Sequence, residues 1–147
     1  MKKNTATEAL SGNCWLISAN GKKYDHEAAF EKFGYIDWRQ NNRHYQVGDI
    51  VYIYCTRPIC KVQYMAIVDR EGMNFDEITD DREFWSDLKK YEEAQSGTYV
   101  RLRLLKKKDT DELNLDSLRA HGLYNAPQGP IKVKADLDEF LKEIFED

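Results

Sequence analysis

The sequence has cysteines that cannot all pair within one chain, no apolar run long enough to enter a membrane, and no loop motif built to hold phosphates. Its three cysteines, Cys14, Cys55 and Cys60, are odd in number, and none sits in a CxxC. With no apolar signal segment either, this usage predicts a reducing compartment, the cytoplasm, rather than secretion. No stretch approaches the roughly 20 apolar residues of a transmembrane helix, so no membrane partner is expected. Neither GxxxxGKS nor GxGxxG occurs. His26, His44 and His121 are scattered without zinc-like spacing, and two thiols flanking a turn (Cys55 and Cys60) do not complete a four-ligand site. No metal or other cofactor is therefore expected. A nucleophilic cysteine needs a base beside it, and nothing in the order of residues supplies one. Cys14 and Cys55 read instead as buried, unreactive thiols. Carboxylates are abundant but cluster on helices, where a solvated face explains them. The sequence predicts no enzyme.

What remains is a chain of 147 residues, the size of one domain, able to bury a core without disulfides or metals. Residues 1–13 carry no continuing apolar pattern and read as a flexible arm; residues 14–147 read as a single domain. The net charge of -4 opposes indiscriminate binding to nucleic acid, which needs a broadly basic surface. The acids are uneven, however. They concentrate in "NFDEITDDREFWSDL" and "KADLDEFLKEIFED", whereas residues 39–61 hold Arg39, Arg43, Arg57 and Lys61 against the lone acid Asp49.

"CWLISA" (Cys14–Ala19) reads as a buried first strand. Asp25 caps a helix over "HEAAFEKF", which Gly34 stops. After a turn at "VGD", the run from Asp49 to Thr56 is apolar on both faces, as a central strand is. "VQYMAIVDR" (62–70) follows as its antiparallel partner. Asp80 and Glu83 have the spacing of a capping pair for a helix running to Glu92. "TYVRLRLLK" alternates, with Val100, Leu102 and Leu104 opposite Arg101 and Arg103. Asn114 caps a short helix ending at Gly122, and Leu137, Phe140, Leu141, Ile144 and Phe145 form the stripe of a final helix. This order predicts an α+β protein: a small, mostly antiparallel β-barrel with flanking helices.

The aromatic content is 12%, and its placement suggests recognition. Trp38, Tyr45, Tyr52 and Tyr54 fall close together, interleaved with Arg39, Arg43 and Arg57. Aromatic faces stack on bases and arginines hold phosphates. Core filling explains Tyr52 equally well. Trp38 is different, because "DWRQNNRH" offers it little apolar company.

The segment "CWLISANGKKYDHEAAFEKFGYIDWRQNNRHYQVGDIVYIYCTRP" resembles the start of an EVE domain, in the PUA-like superfamily that also holds YTH and ASCH domains. The carriers are a Trp-containing first strand with a polar end, a helix, "IDW", and then "VGDIVYIY". "LRAHGLYNAPQGPIKV" is similar to the closing loop of EVE domains associated with restriction nucleases. The resemblance implies a PUA-like barrel whose pocket accepts a nucleobase flipped out of a duplex. It places Trp38 at the pocket wall, Ser18 and Asn20 at the polar end of the first strand, and Tyr54 at a second wall. It places Gln128 in the closing loop and Trp85 as a further cage residue. Lys22, Lys23, Arg39, Arg43, Arg57 and Lys61 are then expected to share one rim and hold the nucleic-acid backbone.

The implied function is a non-catalytic reader of a modified base, a modified cytosine or adenine in DNA, with a separately encoded nuclease as partner. An RNA reader needs the same pocket. Two further classes differ in what they require. A small enzyme needs a base and nucleophile in the cavity, with His44 beside a carboxylate, and an interaction subunit needs the cavity occluded.

Overall fold

Side chains alternate across a strand, and in β1 (Cys14–Ala19) that alternation divides the molecule in two. Trp15, Ile17 and Ala19 enter one hydrophobic cluster, while Leu16 enters another on the opposite face. β3 (Ile50–Cys55) does the same, with Val51, Ile53 and Cys55 on the first side and Ile50, Tyr52 and Tyr54 on the second. All six β3 residues are buried, because both faces of the sheet are covered. The computed structural model describes residues 13–93 and 95–146. The arm expected over residues 1–13 lies outside them except for Asn13, whose carbonyl accepts the Ile50 N–H.

Six strands form one sheet in the order β2-β5-β4-β3-β1-β6, with β2 at Tyr35–Arg39, β4 at Lys61–Met73, β5 at Tyr99–Lys107 and β6 at Ile131–Lys132. β1 and β3 pair in parallel and every other neighbouring pair is antiparallel. The expected barrel is not closed. β2 and β6 are the two edges, and among the described residues no ladder joins them. Three register shifts along the β4–β5 ladder mark where β4 bulges and bends.

α1 (His26–Phe33) forms as read. The Asp25 carboxylate accepts the Ala28 N–H, and Gly34 closes the helix in the left-handed conformation at φ 79°. α1 lays Ala29 and Phe30 on the first cluster. The second face is covered by α3 (Leu115–Ala120) and α4 (Ala135–Glu146), which contribute Leu118, Leu137, Leu141, Ile144 and Phe145. Phe140 of the expected stripe is only partly buried and stacks on His121 at 3.7 Å.

Two sequence readings are corrected. The helix expected from Asp80 to Glu92 is broken into a 3-10 turn at Arg82–Phe84 and a short α2 at Leu88–Glu93. The Asp80 carboxylate caps only the Arg82 N–H, and Asp81 and Trp85 are drawn inward instead, where tertiary hydrogen bonds outweigh helix propensity. The segment "YIDWR" is a strand, β2, where the sequence offered only a polar neighbourhood. Its partner is distant β5, which no local pattern announces.

Candidate base-binding cavity

β2 ends beside the 74–98 insertion, and that junction leaves a cavity of about 210 Å³. Sites for drug-sized ligands run to about 300–1,000 Å³, so this one suits a single flat ring system. Trp38 of β2 and Trp85 of the insertion are both walls of it. Trp38 is half-buried against the first cluster, with its ring 6.1 Å from His26.

The insertion is stitched down at two places. The Asp25 N–H bonds to the Phe84 carbonyl at 2.8 Å, and the Ser86 N–H to the Lys23 carbonyl at 2.9 Å. Between these ties the buried Asp81 carboxylate accepts the Tyr24 hydroxyl at 2.9 Å and the Trp85 indole N–H at 3.2 Å. Tyr24 also meets Trp85 edge-on at 5.2 Å. Burial pushes the Asp81 carboxyl up from its ordinary value, and these two donors pull it part of the way back.

Behind the cavity, Arg101 forks onto Asp37, with Nε to Oδ1 at 2.9 Å and Nη2 to Oδ2 at 3.1 Å. Asp37 also accepts the Thr79 N–H at 3.0 Å, and Arg101 lies 4.1 Å over the Tyr35 ring. The hydrogen bonds from the Arg101 guanidinium to Asp37 raise the Arg101 pKa above its ordinary value. This pair anchors the insertion to β2 and β5, and it uses up the Asp37 carboxylate.

His26 is the buried base among the walls, at 8% exposure. Desolvation pushes its imidazole down to about 4, against a smaller opposing pull from Asp25, so the ring is neutral near pH 7. Tyr99 is a further wall, and burial raises its phenol above the ordinary value, so it keeps its proton.

Of the expected pocket residues, Asn20, Trp38 and Trp85 meet here, joined by Lys23 and Arg39 from the expected backbone set. Ser18 and Tyr54 do not. They are register partners on β1 and β3, on the sheet face opposite Trp38, and Tyr54 is 2% exposed within the second cluster. A two-residue period decides this, since Tyr54 is one step from Ile53 and Cys55 on the first face. Gln128 lies in a separate hollow bordered by His121 and Leu137. Tyr45 and Tyr52 are core residues; Tyr45 packs on Trp15 at 4.7 Å. Tyr24, His26, Asp37 and Tyr99 were missed, because the distant β2–β5 pairing and the docking of the insertion bring them to one hollow only in the folded chain.

The basic set is also redistributed. Lys22 and Arg57 border two hollows together, one of them shared with Asn20. Arg43 lies beside Gly129 of the closing loop, 3.9 Å from where a Cβ there would stand. Lys61 is withdrawn from any common rim by ion pairs to Asp109 at 3.2 Å and Asp111 at 2.9 Å. Burial raises the Cys14 and Cys55 thiols to about 12, so both hold their protons at neutral pH. Among the described residues, no helix is long and apolar enough to cross a membrane.

No protein-family model and no curated protein matches the chain. Solved structures do. A point mutant of ZmASCH from Zymomonas mobilis is 16% identical with a TM-score of 0.64, over 89% of this chain and 95% of that one. A hypothetical protein from Leishmania major is 18% identical with a TM-score of 0.61, over 91% and 94%. The Mmi1 YTH domain is 13% identical with a TM-score of 0.56, over 94% and 78%. The chain therefore has the PUA-like fold shared by ASCH and YTH domains. At these identities the likeness speaks for the fold, and the chemistry has to come from the cavity.

Proposed function

We propose that this chain is a non-catalytic nucleic-acid reader of the EVE type, which takes one flipped base, a modified cytosine or adenine in DNA, into the cavity between Trp38 and Trp85. The observation that carries the reading is the pairing of those two indoles on one ring-sized hollow, with Lys23 and Arg39 among its walls. Stacking on an aromatic face is worth roughly 1–3 kcal/mol per base, on the scale of the few kcal/mol that extrusion costs. A single methyl group adds only about 1 kcal/mol by apolar burial, so selectivity for a modification has to come from polar groups that ordinary bases leave unpaired.

The absence of catalysis is part of the proposal. Asp37 is held by Arg101 and Thr79, and Asp81 by Tyr24 and Trp85. His44, which a hydrolytic reading needs beside a carboxylate, is exposed and is not a wall of this cavity. The interaction-subunit reading needs an occluded cavity, and this one has room for a ring. A separately encoded nuclease partner rests on the EVE resemblance alone.

The test is a binding screen at fixed salt with matched DNA and RNA oligonucleotides, each carrying one unmodified or modified base, followed by mass analysis of the recovered strands. Tight binding to a modified-base arm with the strand unchanged supports the reading. A stronger RNA series moves the assignment to an RNA reader. A changed strand mass makes the chain an enzyme and overturns the proposal.

A further inference from the structure

Among the described residues, three buried side-chain atoms have no hydrogen-bond partner: Arg39 Nε, Tyr45 Oη and Tyr99 Oη. Buried polar groups are ordinarily paired, and an exception calls for a reason. Tyr45 belongs to the core around Trp15. The other two residues are both walls of the Trp38 cavity.

They are also neighbours. Arg39 and Tyr99 are register partners at the end of the β2–β5 ladder, so their side chains leave the sheet on the same face, with Cβ atoms about 5 Å apart. That is the face of Asp37 and Arg101, opposite Trp38, and the cavity draws walls from both faces of β2. Tyr99 is 3% exposed. The Arg39 guanidinium lies over Gly97, with Nε and Nη2 each 3.5 Å from where a Cβ would stand. It is tied by one exposed hydrogen bond, Nη2 to Ser96 Oγ at 3.2 Å.

The carboxylates nearby already have their donors, so the unspent capacity of this corner lies in an arginine N–H and a phenol O–H. An arginine nitrogen can only donate, and a protonated tyrosine can donate beside it. Such a corner is complementary to an edge with two adjacent acceptors. Guanine has one in O6 and N7, and cytosine has one in O2 and N3. Adenine sets an amino donor beside each such ring acceptor, and thymine and uracil alternate acceptor with donor.

Taking the cavity as a base site, we propose that Tyr99 and Arg39 are its specificity-determining pair and read two adjacent acceptors on one edge of the bound base. Of the two bases named above, this selects cytosine and rejects adenine. A base without that edge leaves the buried pair unsatisfied, and unpaired polar groups are what give a site strong discrimination.

The test uses the full chain and single-stranded oligonucleotides in which one base, cytosine, guanine, adenine or thymine, stands among abasic positions. Binding is followed by anisotropy for the wild type, Tyr99→Phe, Arg39→Lys and Trp38→Ala, with a chemical denaturation curve for each. The wild type should favour the cytosine or guanine strand over adenine and thymine by about tenfold, the worth of one hydrogen bond left unmade. The cytosine and guanine arms show which source of the edge the cavity takes. Tyr99→Phe and Arg39→Lys should level the four strands. Tyr99→Phe should also keep a denaturation midpoint no lower than the wild type, because its hydroxyl has no partner to lose. A preference that survives both substitutions overturns the pair, as does a wild type that binds adenine or thymine equally well. A lowered Tyr99→Phe midpoint with unchanged preference assigns Tyr99 to the fold, which also overturns it. The underlying base-site reading fails on a different result: Trp38→Ala binding every strand as the wild type does.

Discussion

The Tyr24 hydroxyl donates to Asp81 at 2.9 Å across 57 positions of sequence, and both residues are buried. This bond joins the turn after β1 to the insertion that carries Trp85, so one wall of the cavity depends on it. Tyr24→Phe removes one of the donors to a buried carboxylate. Losing a partner there costs about 1–3 kcal/mol. We expect that loss in urea denaturation. Base binding should weaken with it, because Trp85 shares the same carboxylate.

Trp38 separates stacking from packing. A fully buried tryptophan cut to alanine costs about 3–5 kcal/mol of stability. Trp38 is only partly buried against the first cluster, so Trp38→Ala should cost less than that, while base affinity falls by about 1–3 kcal/mol. Trp38→Phe should keep part of the affinity, since a smaller ring still stacks. A denaturation curve and an oligonucleotide titration on each variant check both halves. A severe stability loss with unchanged affinity would make Trp38 a core residue.

Salt should weaken binding only moderately. With Lys61 committed to Asp109 and Asp111 and Arg39 assigned to the base edge, Lys22, Lys23, Arg43 and Arg57 remain for phosphates. Each phosphate contact contributes about -0.7 to -0.9 to the slope of log affinity against log salt, so the total should lie near -3 to -4. Arg57→Glu should weaken every sequence alike and flatten that slope. Lys61→Ala should leave it unchanged. Titrations across a salt series measure all three.

Acid should destabilise the fold through His26. Its folded pKa is about 4 against an ordinary 6.5, so as pH falls below about 6.5 the unfolded chain takes up a proton that the folded chain refuses. Stability is therefore full above that value and declines as pH drops toward 4, by about 3 kcal/mol for a buried group shifted this far. His26→Phe keeps a ring against Tyr24, whose centroid lies 4.8 Å away, and should lack this part of the pH dependence. Urea denaturation of both proteins at pH 7 and pH 4.5 gives the difference directly.

The elements that the sequence revealed are those whose information is local. α1 has its carboxylate cap, its apolar spacing and its glycine stop within ten residues, and it forms over the positions read. β1 and β3 are continuous apolar runs, and β5 alternates cleanly. β2 escaped because a strand of mixed polarity at a sheet edge is defined by its partner, and Tyr35–Arg39 finds that partner 60 to 68 residues away. The helix expected after Asp80 failed for a related reason. Its capping pair does not form, since Asp80 accepts only the Arg82 N–H and Glu83 pairs with Lys32, and the buried bonds of Asp81 to Tyr24 and Trp85 pull the chain out of helical register.

The same division runs through the cavity. Sequence alone determined that Trp38 sits in polar company, that Asn20 ends the first strand, and that the chain carries no metal-ligand spacing or phosphate loop. It also determined the two-residue period of β3, yet not which face of that strand looks toward Trp38. Only the tertiary structure decided that Tyr54 and Ser18 lie on the far side, because facing is fixed by what the helices cover. It alone placed Tyr99 opposite Arg39 and left the Tyr99 hydroxyl and the Arg39 Nε without partners. Stacking residues show themselves by type, but hydrogen-bond groups are defined by which partners they lack, and that is a property of the folded chain.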